Sequence, residues 1–103
     1  MKQTDRIKMM EEYLDNSAAA VTKLSEALDE YESIQKQYRK LGEYYSSERW
    51  MKDFEADEAG KLPSDLKRGV LSEDAVYDLV IDNRDLVVRM MRIAAKVLED
   101  GTV

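Results

Sequence analysis

Apolar residues recur in alternating steps of three and four along the first forty positions of the chain. The repeating positions are Ile7, Met10, Leu14, Ser17, Val21, Leu24, Leu28, Tyr31, Gln35 and Tyr38. Two of them, Ser17 and Gln35, are polar, and the rest form the heptad seam of an amphipathic helix. Because the seam keeps its phase until Gly42, a suitable helix stop, we predict one continuous helix over about residues 4–41.

The next segment predicts a short helix followed by an ordered loop. Trp50, Met51 and Phe54 share one face of a helix over about residues 47–59, which Gly60 ends. Apolar residues and turn-forming residues then alternate up to Leu71, a composition unlike that of a flexible linker. We therefore predict a structural joint with a buried apolar cluster. The residues of this joint are Trp50, Phe54, Leu62, Pro63, Leu66 and Leu71, and all of them except Pro63 belong to the buried cluster.

A third helix is predicted over about residues 73–99, where Ser72 can cap the first turn and Gly101 can end the last. In this helix the acids precede the bases, and in the first helix an acidic group likewise precedes a basic group: Glu11, Glu12 and Asp15 come before Lys36, Arg39 and Lys40. Antiparallel packing brings unlike charges together at both ends, so the pattern selects that orientation. The predicted fold is all-α: a single domain over residues 1–103, built as a long antiparallel helical hairpin. The short middle helix and the loop pack at one end of it.

Composition narrows the classes of function. The formal net charge of −6 argues against nucleic-acid binding, which needs cations to displace phosphate counterions. The chain has no histidine and no cysteine, so the commonest general base and the thiolate metal ligands are missing. We expect no cofactor and no catalytic residue. No apolar run approaches the length of a membrane span and charges interrupt the N-terminal apolar pairs, so we expect a cytoplasmic protein without membrane contact.

An acidic cluster at residues 53–65 is the strongest candidate for chemistry. Asp53, Glu55 and Asp57 alternate as the first ligands of a calcium loop would, but Glu58 and Ser64 occupy positions where that loop needs Gly and Glu. A metal site formed by Asp53, Asp57 and Glu58 is therefore only an alternative. The favoured interpretation is that the acids pair with nearby cations. Those candidate partners are Lys61, Lys67 and Arg68.

The stretch FEADEAGKLPSDLKRGVLSEDAVYDLV, from Phe54 to Val80, resembles the signature block of a small bacterial family known only as a domain of unknown function. Its members are acidic, mostly helical and about this long, and they occur mainly in Gram-positive bacteria. The resemblance covers essentially the whole chain and is specific around Trp50 to Leu79, although Phe54 stands where the family pattern has Tyr. It implies a bacterial cytoplasmic domain and brings no activity, substrate or cofactor.

The residues favour a helical interaction or adaptor module over an enzyme. The first helix carries more apolar surface than one partner helix covers, so we expect self-association as a homodimer. Tyr13, Tyr31 and Ile34 are the expected interface residues. A further protein partner is a second expectation. Two alternatives stay open: a metal-dependent hydrolase or metal-binding protein that uses residues 53–65, and an acidic immunity or antitoxin-like protein.

Overall fold

A computed structural model describes residues 1–101, and every regular element in that range is helical, as predicted. The α-helices are α1 (Gln3–Ser33), α2 (Gln35–Tyr45), α3 (Glu48–Glu58) and α4 (Ala75–Asp100), with one 3₁₀ turn at Gly69–Leu71. The chain divides into two units, Met1–Arg39 and Lys40–Val103. The antiparallel pairing of the first and last long helices stays a prediction from the charge pattern.

The seam predicted as one helix over residues 4–41 is interrupted at Ile34. Two side chains next to it bond to helix carbonyl oxygens: Ser33 Oγ donates to Glu30 O at 2.6 Å, and Gln35 Nε2 donates to Tyr31 O at 3.0 Å. Such bonds compete with the backbone ladder and locally disturb a helix. Ile34 keeps φ −95° and ψ 0°, and Tyr38 N donates to Ile34 O at 2.8 Å. Helical hydrogen bonding therefore resumes within one turn.

Gly42 does not end α2, contrary to the prediction. The only glycines with positive φ among the described residues are Gly60 and Gly101, so Gly42 stays in the helical region. Its carbonyl oxygen accepts from both the backbone N and the Oγ of Ser46, at 3.2 and 3.0 Å. The helix continues to Tyr45, whose ring contacts Trp50.

Both ends of α3 follow from local sequence. Ser47 Oγ accepts from Trp50 N at 3.4 Å and donates to Tyr44 O at 2.6 Å, so Ser47 caps the helix. At the other end Gly60 adopts φ 68°. Lys61 N reaches Ala56 O, and Gly60 N reaches Asp57 O, both at 3.0 Å, the two bonds of a Schellman motif.

The start of α4 is fixed by Ser72, whose Oγ accepts from Ala75 N at 3.1 Å. The helix ends at Gly101, which has φ 58°. Both α3 and α4 contact the 3₁₀ turn between them. Among the described residues, the buried apolar side chains are Trp50, Leu71 and Val76, one from each of these three elements. The core of the second unit therefore lies where the turn meets the two helices.

Candidate functional site

An aromatic stack forms the centre of the joint. The Trp50 ring lies 5.2 Å from the Phe54 ring in a stacked arrangement and 5.2 Å from the Tyr45 ring in an edge arrangement, measured between centroids. Its indole Nε1 donates to Val70 O at 2.9 Å. Trp50 is 9% exposed, so this bond satisfies a nearly buried donor. The stack thus ties α3 to the end of α2 and to the segment that leads into α4.

The other predicted members of the joint differ in burial. Leu71 is buried, and Phe54 and Leu62 are half-buried. Pro63 and Leu66 are exposed, Leu66 by 48%, so the expected burial of Leu66 was wrong. Leu66 lies in a tight turn in which its N donates to Pro63 O at 3.2 Å. This turn leaves its side chain at the surface.

The acidic cluster is divided between two polar contacts. Tyr44 Oη donates to Asp53 Oδ2 at 2.5 Å. That hydrogen bond, helped by partial desolvation and by the carboxylate charge, raises the pKa of Tyr44 to about 12. The contact joins α2 to α3 one turn before the Asp57 position, and it occupies one of the three acids of the alternative metal set.

Arg68 holds Asp57 and the loop together. Its Nη1 donates to Asp57 Oδ1 at 2.7 Å, while Nη2 donates to Pro63 O at 3.2 Å and to Ser64 O at 3.1 Å. The prediction that Asp57 finds a cation nearby is thereby confirmed. Glu58 is exposed at the end of α3. In residues 1–101 no group of three or more candidate ligand side chains is arranged to hold a metal ion.

A small cavity of about 290 Å³ lies beside these contacts in the second unit. Its walls are Tyr44, Asp53, Leu62, Leu66, Lys67, Arg68, Val70 and Leu71. Pockets that bury drug-sized ligands are usually roughly 300–1,000 Å³, so this one has room for a single small group. Tyr44, Asp53 and Arg68 already bond to protein atoms. The remaining walls are the apolar side chains Leu62, Leu66, Val70 and Leu71 together with Lys67.

The second candidate surface is the α1 seam, defined as the heptad positions from residue 7 to residue 31. No residue of α1 is buried. Six apolar side chains of the seam are between 40% and 68% exposed: Ile7, Met10, Leu14, Val21, Leu24 and Leu28. Of the expected interface residues, Tyr31 is itself a seam position and is half-buried, while Tyr13 is 52% and Ile34 37% exposed.

Exposed apolar residues also continue along α4. Its buried residue is Val76, near the start of the helix. Further along, Leu86, Ile93 and Val97 are each at least half exposed. The apolar face of α4 is therefore largely accessible within the second unit.

Sequence reasoning missed two contacts of the joint. Nothing in the spacing of Tyr44 and Asp53 indicates a hydrogen bond, because the two residues belong to different helices. The bond from Trp50 to Val70 O involves a backbone acceptor, which has no signature in the sequence. A buried Trp does need an acceptor for its indole N–H, and that requirement was the one available signal.

Comparison with known proteins identifies the family. No helix in the described part of the chain combines the length and the apolar composition needed to span a bilayer. No curated protein matches the sequence. The family model for a domain of unknown function, DUF4298, matches residues 7–93. Because this match covers most of the sequence, the chain belongs to the DUF4298 family.

Proposed function

We propose that this protein is a helical protein–protein interaction module that self-associates through the α1 seam. The observation that carries the proposal is the exposure of that seam: a heptad repeat of apolar side chains runs through a 31-residue helix in which no residue is buried. Heptad repeats of this kind are typical of helices that pack against another helix. A bacterial cytoplasmic location is part of the proposal and rests on the sequence alone.

The energetic scale supports association. Full burial of a Leu or Ile side chain is worth roughly 1.5–3 kcal/mol, so a half-exposed one can still gain ~1 kcal/mol. With six such side chains on each copy, a pair gains on the order of 12 kcal/mol. Association costs about 4–15 kcal/mol, so this gain is large enough to offset much or all of it. Contiguous apolar surface of this kind marks interaction sites in soluble proteins.

The joint takes a structural role in this proposal. Asp53 and Asp57, on α3 of the joint, accept hydrogen bonds from Tyr44 and Arg68, and the aromatic rings of the joint pack on each other. Such contacts fix the geometry of α2, α3 and the following loop. The interaction surface then lies on α1, outside the joint.

A matched pair of substitutions tests the proposal. Val21→Glu places a charge in the seam at a side chain that is 68% exposed, so it leaves the single chain intact. Ala19→Glu adds the same charge two residues away, on the helix face opposite the seam. We expect sedimentation to show that the unmodified chain and Ala19→Glu associate at micromolar concentration, and that Val21→Glu is a monomer.

Equal behaviour of the two variants would contradict the proposal. A charge in the seam then disturbs association no more than a charge on the far face. Circular dichroism of both variants supplies the control, because each should keep the helical content of the unmodified chain.

A further inference from the structure

The seam positions form a palindrome about Ala19. The steps between successive positions from Ile7 to Tyr31 are three, four, three, four, three, four and three, so the sequence of steps reads the same from either end. An antiparallel copy of the same helix can therefore meet every seam position with a seam position. Heptad seams pair in this way when an a position faces a d position.

We infer that the partner of the α1 seam is the α1 seam of a second copy, antiparallel and centred on Ala19. This inference rests on the proposed function and adds the partner and its register. In this register the two residue numbers of each facing pair sum to 38. The pairs are Ile7 with Tyr31, Met10 with Leu28, Leu14 with Leu24, and Ser17 with Val21.

The register follows from the amount of seam that can be covered. Moving one helix by a heptad shifts the sum to 31 or 45. A sum of 31 leaves Leu28 and Tyr31 without a facing seam position, and a sum of 45 sets Ile7 and Met10 opposite Tyr38 and Gln35, which lie beyond the break at Ile34. Ile7 at one end of the seam and Leu28, the seam position before the half-buried Tyr31 at the other end, are at least 40% exposed, so both ends require cover. Full overlap is the arrangement that covers both.

The two edges of the seam differ in polarity, and this difference favours the antiparallel direction. Tyr13, Ala20 and Ala27 follow one another at seven-residue spacing along one edge. Antiparallel helices bring this edge against the same edge of the partner, with Tyr13 next to Ala27. The large ring then faces a small side chain, which is how closely packed helices accommodate an aromatic residue.

The opposite edge carries Glu11, Ala18, Ser25 and Glu32. Parallel helices bring one edge against the other, so they place Glu32 beside the apolar Ala27. Antiparallel helices keep this polar edge against its own copy, with Glu11 next to Ser25 and Ala18 next to Ala18.

The charge distribution along α1 supports the same direction. Residues 2–8 hold three cations and one anion, whereas residues 26–32 hold four anions and no cation. A parallel pair would place the four anions of each copy side by side, which is unfavourable. In the inferred antiparallel pair residues 26–32 lie level with residues 6–12 of the second copy, where Arg6 and Lys8 balance Glu11 and Glu12, so the four anions meet a segment without net charge.

Cysteine cross-linking tests the inference without background, because the chain has no native cysteine. Leu14→Cys and Leu24→Cys are made as separate proteins, mixed and mildly oxidised. We expect a covalent dimer in the mixture and none from either protein alone. In the inferred register Leu14 of one copy lies ten residues, or about 15 Å, from Leu14 of the other, which is too far for a disulfide.

A matched control uses Glu12→Cys mixed with Glu26→Cys. These residue numbers also sum to 38, but both side chains lie on the face opposite the seam, so no covalent dimer should form. If the leucine variants lose helical content, Met10→Cys mixed with Leu28→Cys repeats the test at another facing pair.

A spin label at Asp5→Cys, an exposed position outside the seam, gives an independent reading. In the inferred pair residue 5 of the second copy lies level with residue 33 of the first. The two labels are therefore 28 residues, or about 42 Å, apart along the axis. A parallel in-register pair has no axial offset between its labels. A measured separation above about 40 Å supports the antiparallel pair, and one below about 30 Å overturns it.

The outcomes separate the two proposals. A covalent dimer from Leu14→Cys alone, or no covalent product from a chain that sediments as a dimer, overturns the inferred register and leaves the proposed function standing. A chain that sediments as a monomer removes the proposed function and the inference together. The first result identifies a parallel pair, the second a different interface, and the third a seam that the chain covers by itself.

Discussion

Replacing Phe54 by alanine removes the ring that stacks on Trp50 with an interplanar angle of 15°. Truncation of a fully buried Phe costs about 3–5 kcal/mol, a value that includes the cavity left behind. Phe54 is only half-buried, which lowers that figure, while the lost stacking of the ring pair contributes about 0.5–1.5 kcal/mol. We therefore expect Phe54→Ala to lower the free energy of unfolding by about 2–3 kcal/mol.

The assay is a urea titration followed by tryptophan fluorescence. Trp50 is the only tryptophan, so its emission reports the unfolding of the joint. Phe54→Tyr is the matched control, because it keeps the ring and a half-buried site can admit a hydroxyl; its cost should stay below about 0.5 kcal/mol. A loss below about 1 kcal/mol for Phe54→Ala, or equal losses for the two variants, would refute the stacking argument.

Three further predictions concern the same region. Gly42→Ala should stabilise α2 by up to about 1 kcal/mol in the same titration, because a Cβ there meets nothing within 4 Å. Gly60→Ala should destabilise the protein by about 1–2 kcal/mol, because Gly60 has a φ of 68°. Equal effects of the two substitutions would contradict this contrast. Arg68→Lys should lower the free energy of unfolding by about 1 kcal/mol, because one ammonium cannot reproduce the three bonds made by the planar guanidinium. Asp57→Asn should lower it by less, because the two bonds from Arg68 to carbonyl oxygens remain. A larger loss for Asp57→Asn than for Arg68→Lys would contradict this assignment. The pKa of Tyr44, about 12, lies above its ordinary value of 10, so its contribution to stability is complete below pH 10 and is lost as the pH rises through 12. In an absorbance titration Tyr44→Phe should therefore remove an ionisation near pH 12, and an unchanged high-pH end of the curve would count against the bond.

Local signals predicted the ends of α3 and α4 to within two residues. Ser47 and Ser72 each place a side-chain oxygen where it can accept from a backbone N–H three residues later, and both do so. Gly60 and Gly101 supply the positive φ that ends a helix. These features depend on a few consecutive residues, so one sequence is enough to show them.

Apolar periodicity could not predict the break in the first helix, because it does not report hydrogen bonds from side chains to backbone carbonyl oxygens. The break at Ile34 comes from Ser33 and Gln35 side chains bonding to carbonyl oxygens, whereas the apolar period runs through it unchanged. Gly42 was expected to stop the helix, yet the contact of the Tyr45 ring with Trp50 lies beyond it. A tertiary contact here outweighs the weak helix propensity of one glycine.

For the joint, most of its residues could be predicted from the sequence, but only some of the contacts between them could. The pairing of Asp57 with a nearby cation could be predicted because opposite charges cluster there, and Arg68 supplies it. The bond between Tyr44 and Asp53 could not be predicted, since it depends on the angle between two helices. Leu66 was expected in the core because it is apolar, but the turn that begins at Pro63 leaves it at the surface.

Sedimentation equilibrium of the unmodified full chain between about 1 and 100 μM tests most directly whether the α1 seam is an interaction surface. This range brackets a dissociation constant of micromolar size, which corresponds to a binding free energy of roughly −8 kcal/mol. The exposed seam predicts a mass that rises with concentration toward twice the 11.9 kDa of the chain. A mass of 11.9 kDa at every concentration would contradict self-association through α1.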